Sequence, residues 1–248
     1  MSALSVFSPN QIQRIADCSL LQHFWTQSPP AENAVSRAIL ETIRQLHAGG
    51  GPHRLNLPAT LRILAQQLPA DLPAAGITAA RDIVARYHRQ LRSEWAQIIA
   101  SNEPLGLNLP LPRGVIRCET VIHRLDKTAD GGITAIKLIP TEKPAAPIES
   151  DSIEATMLHA LTAAAYSHRR PVRVAFRWLR YDHTDTLELS ENIYRRNLHR
   201  LKTRMQAWLD GEILARPGLH CETCPFKGAG CPLYPESICS SSGYTPPP

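Results

Sequence analysis

The chain has 248 residues and a mass of 27.5 kDa, with 43% hydrophobic and 20% charged residues, a net charge of +5 and a pI of about 9.0. Such a chain can bury a core in one large domain or two small ones, its composition is that of a soluble globular protein, and no apolar run is long enough to span a bilayer. The opening "MSALSVFSPNQIQRIADC" lacks a basic region, apolar core and cleavage site, so the expectation is a cytoplasmic protein without a signal peptide or membrane partner.

In chain order, helices come first. "SPNQIQRIADCSLLQHFW" reads as one helix with Ser8 as N-cap and Pro9 at the first helical position. "AENAVSRAILETIRQLHAGGG" is a second, stopped by Gly49, Gly50 and Gly51, and "LPATLRILAQQL" and "ITAARDIVARYHRQLRSEWAQIIA" are two more, separated by Pro-rich joints. The runs "GVIRCETVIHRLDK" and "GGITAIKLIP" are β-like and joined by the turn "TADGG". "DSIEATMLHALTAAAY" returns to helix. "RPVRVAFRWLRYDH" alternates at period two, with Val172, Val174, Phe176 and Trp178 on one face. A long basic helix, "SENIYRRNLHRLKTRMQAWLDGE", precedes a cysteine-rich loop and a tail, "SSSGYTPPP". The order gives a mixed α/β core with a helical segment before or across it.

The cysteines are Cys18, Cys118, Cys221, Cys224, Cys231 and Cys239, expected as thiols rather than disulfides in a reducing compartment. Cys221, Cys224 and Cys231 form C-x2-C-x6-C in a Pro/Gly-rich loop, which favours a metal or cluster over three unrelated buried thiols. Three thiolates leave a four-ligand site open. His220, Cys239, Cys118 and Cys18 are the candidates for the fourth position, and both Zn2+ and an iron–sulfur cluster fit the spacing.

"GEILARPGLHCETCPF", followed by Cys231, resembles the end of RecB-type PD-(D/E)XK nucleases that carry a 4Fe-4S cluster. These include the AddB-type recombination nucleases and the CRISPR-adaptation exonucleases. "FSPNQIQRIADCSLLQHFW" resembles the start of that family through Ser8, Cys18, Phe24 and Trp25, with Ser19 where proline is usual. The resemblance implies an α/β fold with a restriction-endonuclease-like core, a mixed central sheet flanked by helices. It implies one domain over residues 1–239, with a helical segment at about 30–105, the α/β core at about 106–215, and a disordered tail at 240–248. It also implies a 4Fe-4S cluster held by Cys18 with Cys221, Cys224 and Cys231, Zn2+ being the alternative metal.

The same resemblance locates the nuclease's catalytic positions, and they are degenerate. Leu40 stands where the family has a helix histidine, His123 where it has a metal-binding Asp, and Ala135-Ile136-Lys137 where it has Asp/Glu-x-Lys. Of a later Gln-x-x-x-Tyr pattern only Tyr166 matches, with Thr162 in place of the Gln. Without carboxylates a divalent cation has no hard oxygen cage. The expectation is therefore a catalytically inactive fold, with an active exonuclease using displaced ligands as the alternative.

Binding is then the surviving function. Arg173 and Arg177 share a strand face, and Arg196, Arg200 and Arg204 form a helical stripe, with Trp178, Tyr181 and Tyr194 as stacking surfaces. The reading is a nucleic-acid partner, DNA before RNA, and protein partners in a larger DNA-processing or CRISPR-type defence assembly. A purely structural, protein-docking subunit is the competitor.

Overall fold

The computed structural model describes residues 5–27, 33–141, 143, 148–168, 170–222, 224, 226–227 and 231–233. Cys239 and the tail at 240–248 lie outside the described residues.

Helix α1 (Pro9–Asp17) begins on a reciprocal cap. The Gln11 backbone N–H donates to Ser8 Oγ (3.3 Å), and the Ser8 N–H donates to Gln11 Oε1 (2.7 Å). The expected single helix is in fact two. Cys18 is extended (φ −156°), and helix α2 (Ser19–Gln27) starts immediately after it. The break has a tertiary cause: the Leu214 N–H donates to Ser19 Oγ at 2.7 Å, and the Leu20 N–H donates to the Leu214 carbonyl at 3.3 Å. The closing segment thus holds the start of α2 in place.

Helices α3 (Ala34–Ala48), α4 (Leu57–Gln67) and α5 (Ala74–Glu94) follow as the spacing predicts. Gly51 after α3 has φ +77°, and a Cβ there would stand 2.6 Å from the Trp95 ring. Only glycine meets both demands.

The helical segment ends earlier than 105. A short turn at Trp95–Gln97 leads into a long strand, so "IIASNEPLGLNLPL" is sheet rather than the end of a helix and a joint. Strand β1 is Val6–Phe7, β2 is Ile98–Leu111, β3 Gly114–Lys127, β4 Ile133–Ile139, β5 Val172–Trp178 and β6 His183–Glu188. Pro104 and Pro110 of β2 sit opposite Val121 and Val115 of β3. Among the described residues β2 pairs with β3 alone, so these prolines occupy an edge strand, where a missing N–H costs least.

The sheet is mixed, in the order β1-β3-β4-β5-β6, with β2 along the other side of β3. β1 and β3 run parallel, as do β4 and β5, and the remaining pairs are antiparallel. Helix α6 (Ile153–Ala165) makes the crossover from β4 to β5, and helix α7 (Glu191–Leu209) follows β6.

Helices flank both faces. One core joins Ile12 and Ile15 of α1, Met157 and Leu161 of α6, and Leu201 and Met205 of α7 to Val172, Val174, Phe176 and Trp178 of β5. The other joins Ile39, Ile43 and Leu46 of α3, Leu64 of α4, and Val84 and Leu91 of α5 to Ile136, Leu138 and Ala175. The alternation of β5 is what feeds both cores: the even-numbered residues point to the first layer, Ala175 to the second.

Candidate functional site

Two regions gather the chemistry-bearing side chains. The first joins the two ends of the chain. Cys18, Cys221, Cys224 and Cys231 line one cavity of about 330 Å³, its open mouth included, together with Leu20, Leu21, Phe24, Arg216, His220 and Phe226. Phe24 packs on Phe226 with ring centroids 5.1 Å apart, and Trp25 meets the same ring edge-on at 6.5 Å. These aromatic contacts and the Ser19–Leu214 hydrogen bonds hold the ends together independently of any bound group.

The thiols find little inside the protein to bond. Cys18 and Cys221 reach only carbonyls, those of Leu214 and Arg216, each at 3.8 Å. Burial raises the Cys224 thiol above its ordinary range, and the proximity of Cys231, Cys18 and Cys221 adds to the rise. Mutual repulsion of ionised sulfurs is the expected signature of four thiols around one space. The residues therefore suit a group with soft, positive metal centres, which would take them as thiolates. His220 is less suited to be a fourth ligand, since its Nε2 lies 3.0 Å from the Arg216 carbonyl. Cys118 lies elsewhere, in the sheet core, where burial pushes its thiol up to about 12.

The second region is a cleft of about 970 Å³, its mouth included, over the middle of β3 and the C-terminal end of β4. Leu40, His123 and Lys137 line it, with Ser8, Asn10, Ser36, Thr120 and Glu154. Three of the five degenerate positions thus meet here. Ala135 does not line it: it is buried under α6 in the first core, on the face it shares with Lys137. Tyr166 caps the C-terminal end of α6 and packs on that core as well.

Every charged or titratable group in the cleft has an internal partner. Lys137 Nζ donates to Glu154 and, at 2.9 Å, to Asn10 Oδ1. His123 Nδ1 accepts the Leu138 backbone N–H at 2.8 Å, so the neutral ring carries its proton on Nε2. Burial, reinforced by the Lys137 charge, lowers His123 to about 4. Glu154 is the cleft's carboxylate, and reading the sequence missed it. An acid in a first helical turn reads as a dipole partner, and nothing in "DSIEATML" links it to a lysine seventeen residues earlier.

Asp126 and Glu119 do not face this cleft. Glu119 pairs with Arg117 in the β2–β3 hairpin. Asp126 is buried beside Arg124, which binds it in bidentate fashion and also reaches Glu94 at 2.6 Å. Glu94 joins Arg177 to the same network at 2.7 Å, and the Arg177 guanidinium lies 5.3 Å from the Tyr87 ring centroid. Burial works to raise Glu94, but Arg177 and Arg124 outweigh it and keep the carboxyl below its usual range.

That network corrects the basic surface. Arg177 is 7% exposed and neutralised against α5, so it cannot meet a phosphate. Arg173 is paired with Asp130 (2.7 Å) and Glu188 (3.0 Å). Both arginines lie on the α5 side of the sheet, whereas α7 covers the other side, so strand and helix arginines form no common patch. On α7, Arg200 is tied to Asp151 (3.3 Å to Oδ2), Arg204 is half-buried, and Arg196 is exposed with no ion pair among the described residues.

Among the described residues no three His, Cys, Asp or Glu side chains are set to hold a single metal ion. No protein-family model matches the chain, and no curated protein matches it. Solved structures resemble it, two among them as follows. One is SSO0001, at 9% identity and a TM-score of 0.48, covering 94% of this chain and 88% of that one. The other is a candidate exonuclease from Eubacterium rectale, at 12% identity and a TM-score of 0.48, covering 89% of this chain and 87% of that one.

Proposed function

We propose that this chain is a RecB-like nuclease-fold module that does not cut, is stapled at its ends by a 4Fe-4S cluster, and binds nucleic acid, DNA before RNA, within a DNA-processing or CRISPR-type defence assembly. The observation that carries the loss of cutting is the cleft: Glu154, its one carboxylate among the described residues, is already neutralised by Lys137. Magnesium demands near-octahedral oxygen coordination, and hydrolysis by this class of fold needs the ion to activate water. A leucine, a neutral imidazole, an ammonium and one spoken-for carboxylate do not supply that.

The cluster reading is supported by the convergence of Cys18 with Cys221, Cys224 and Cys231 on one cavity. These four would be its ligands. When bound, such a cluster supplies a rigid multi-point link between distant segments, which is a folding contribution. Nucleic-acid binding rests on the net charge and on Arg196 of α7, with Arg204 beside it. The assembly rests on the resemblance of the sequence motifs.

The test is a nuclease assay on single- and double-stranded DNA with Mg2+ or Mn2+, paired with DNA retention at low salt. Retention without cleavage is the expected result. Cleavage that stops on Glu154→Gln and on Lys137→Ala would establish the second reading, a displaced active site built on Glu154. Absence of both cleavage and retention would leave a protein-docking subunit.

A further inference from the structure

We infer that Arg216 is the charge partner of the cluster proposed above, directing a guanidinium N–H into the four-cysteine cavity and stabilising the bound centre, most of all in its reduced form; the inference rests on that proposal. Arg216 stands five residues before Cys221 and lines the same cavity as the four sulfurs. Its Nη1 is buried and has no hydrogen-bond partner among the described residues. The buried guanidiniums Arg124 and Arg177 behave in the opposite way, Arg124 being paired with Asp126 and Glu94, and Arg177 with Glu94 and Gln90.

A guanidinium cannot shed its proton to escape such a position. A buried donor left without an acceptor is costly, so the cavity is where an acceptor is missing. The Arg216 backbone is fixed as well: its carbonyl takes the His220 ring nitrogen at 3.0 Å and the Cys221 thiol at 3.8 Å. The backbone from which the side chain extends is therefore held by the very loop that presents the thiols.

Four thiolates around an iron–sulfide core make a net anion, and reduction adds one more negative charge. A hydrogen-bond donor and a positive charge at the sulfurs favour the more negative state and oppose loss of the core. Arg216 would thus act through the cluster's charge, as a positioning and tuning residue rather than as a ligand.

The experiment uses the full chain purified without oxygen, as wild type, Arg216→Lys, Arg216→Met, and Arg195→Met as an equal change of charge far from the cavity. Iron and sulfide content are measured first, then a dithionite titration followed by electron paramagnetic resonance, then iron release to a chelator. At the wild-type midpoint, Arg216→Met should show about a tenfold lower ratio of reduced to oxidised cluster. It should also release iron several-fold faster, while Arg216→Lys and Arg195→Met stay near wild type. An Arg216→Met protein that holds no iron, beside a loaded Arg216→Lys, supports the inference. Wild-type midpoint and release rate in Arg216→Met would overturn it. So would equal impairment of both Arg216 variants with a folded circular dichroism spectrum, which would mean packing rather than charge. A wild-type protein loaded with zinc, or without sulfide, instead sinks the cluster reading itself.

Discussion

The cysteine cavity and the cleft are both assembled from distant parts of the chain, yet they differ in one respect. In the cleft the charged and titratable groups among the described residues already have partners within the protein: Lys137 has Glu154 and Asn10, and His123 has the Leu138 N–H. In the cavity Cys18 and Cys221 reach carbonyls at no less than 3.8 Å, Cys224 has a backbone contact with Phe226, and a guanidinium nitrogen reaches nothing among the described residues. A site that satisfies itself has little free energy left for a cation. A set of soft donors without partners has a great deal. On the proposed reading, that difference is how one fold would keep a structural centre at its chain ends and yet not cut in its cleft.

The sharpest way to break the comparison is to remove donors from the cavity. Cys18→Ala and Cys221→Ala should each cost more than about 4 kcal/mol, the range reached on loss of a structural metal. Both should abolish brown colour and iron, whereas Cys239→Ala should change stability by less than about 0.5 kcal/mol. Urea denaturation with iron assay checks this, and the reverse ranking would make the site a local knuckle of the closing loop.

The next effect tests whether the sheet's other carboxylates are structural. Asp126→Ala removes one partner of Arg124, which is 2% exposed, and should destabilise by about 3 kcal/mol, the cost of breaking a buried pair. A variant of wild-type stability would mean the network is dispensable and that Asp126 was free to serve elsewhere.

A pH effect follows from the histidines. Burial lowers both His123 and His47 to about 4, with Lys137 and Arg124 respectively adding to it. The unfolded chain takes up these protons near pH 6.5, the folded chain only near 4, so stability falls as the pH drops through that window. Each histidine contributes a slope of up to about 1.4 kcal/mol per pH unit. Denaturation midpoints of His123→Asn between pH 7 and 4.5 should show a shallower decline than wild type.

Within the cleft, Lys137→Ala should cost about 1 kcal/mol by leaving Glu154 half-buried and unpaired, a modest loss because both groups keep some solvent. Smallest of all, Arg196→Ala should weaken DNA binding about twofold to threefold and flatten its salt dependence, while leaving stability within about 0.5 kcal/mol. Arg177→Ala should do the opposite, lowering stability first, and fluorescence binding beside thermal melts separates the two.

Much of the fold was legible because it is written locally. Ser8, Pro9 and Gln11 start α1 by satisfying its own N–H groups, and the alternation of Val172, Val174, Phe176 and Trp178 sets both faces of β5. β2 was not legible. Its prolines argue against a strand, and only its place at the edge beside β3 makes them harmless. The break at Cys18 was hidden too, since it depends on Leu214, nearly two hundred residues away. Of the sites, the spacing of Cys221, Cys224 and Cys231 was readable because chelation by one loop is a local matter, whereas the fates of Arg177 and Glu154 depend on which helix packs against which face.

The sequence alone determined which donors this protein owns: cysteines at chelating intervals, a lysine on β4, and no acid-x-Lys pair beside it. Covalent spacing and side-chain chemistry do not wait for folding. Only the tertiary structure decided which charges cancel, because pairing is a matter of distance across the sheet. Arg177 is consumed by Glu94, Lys137 by Glu154, and Cys18 is carried to the closing loop by the hydrogen bonds that Leu214 donates to Ser19 Oγ and accepts from the Leu20 N–H.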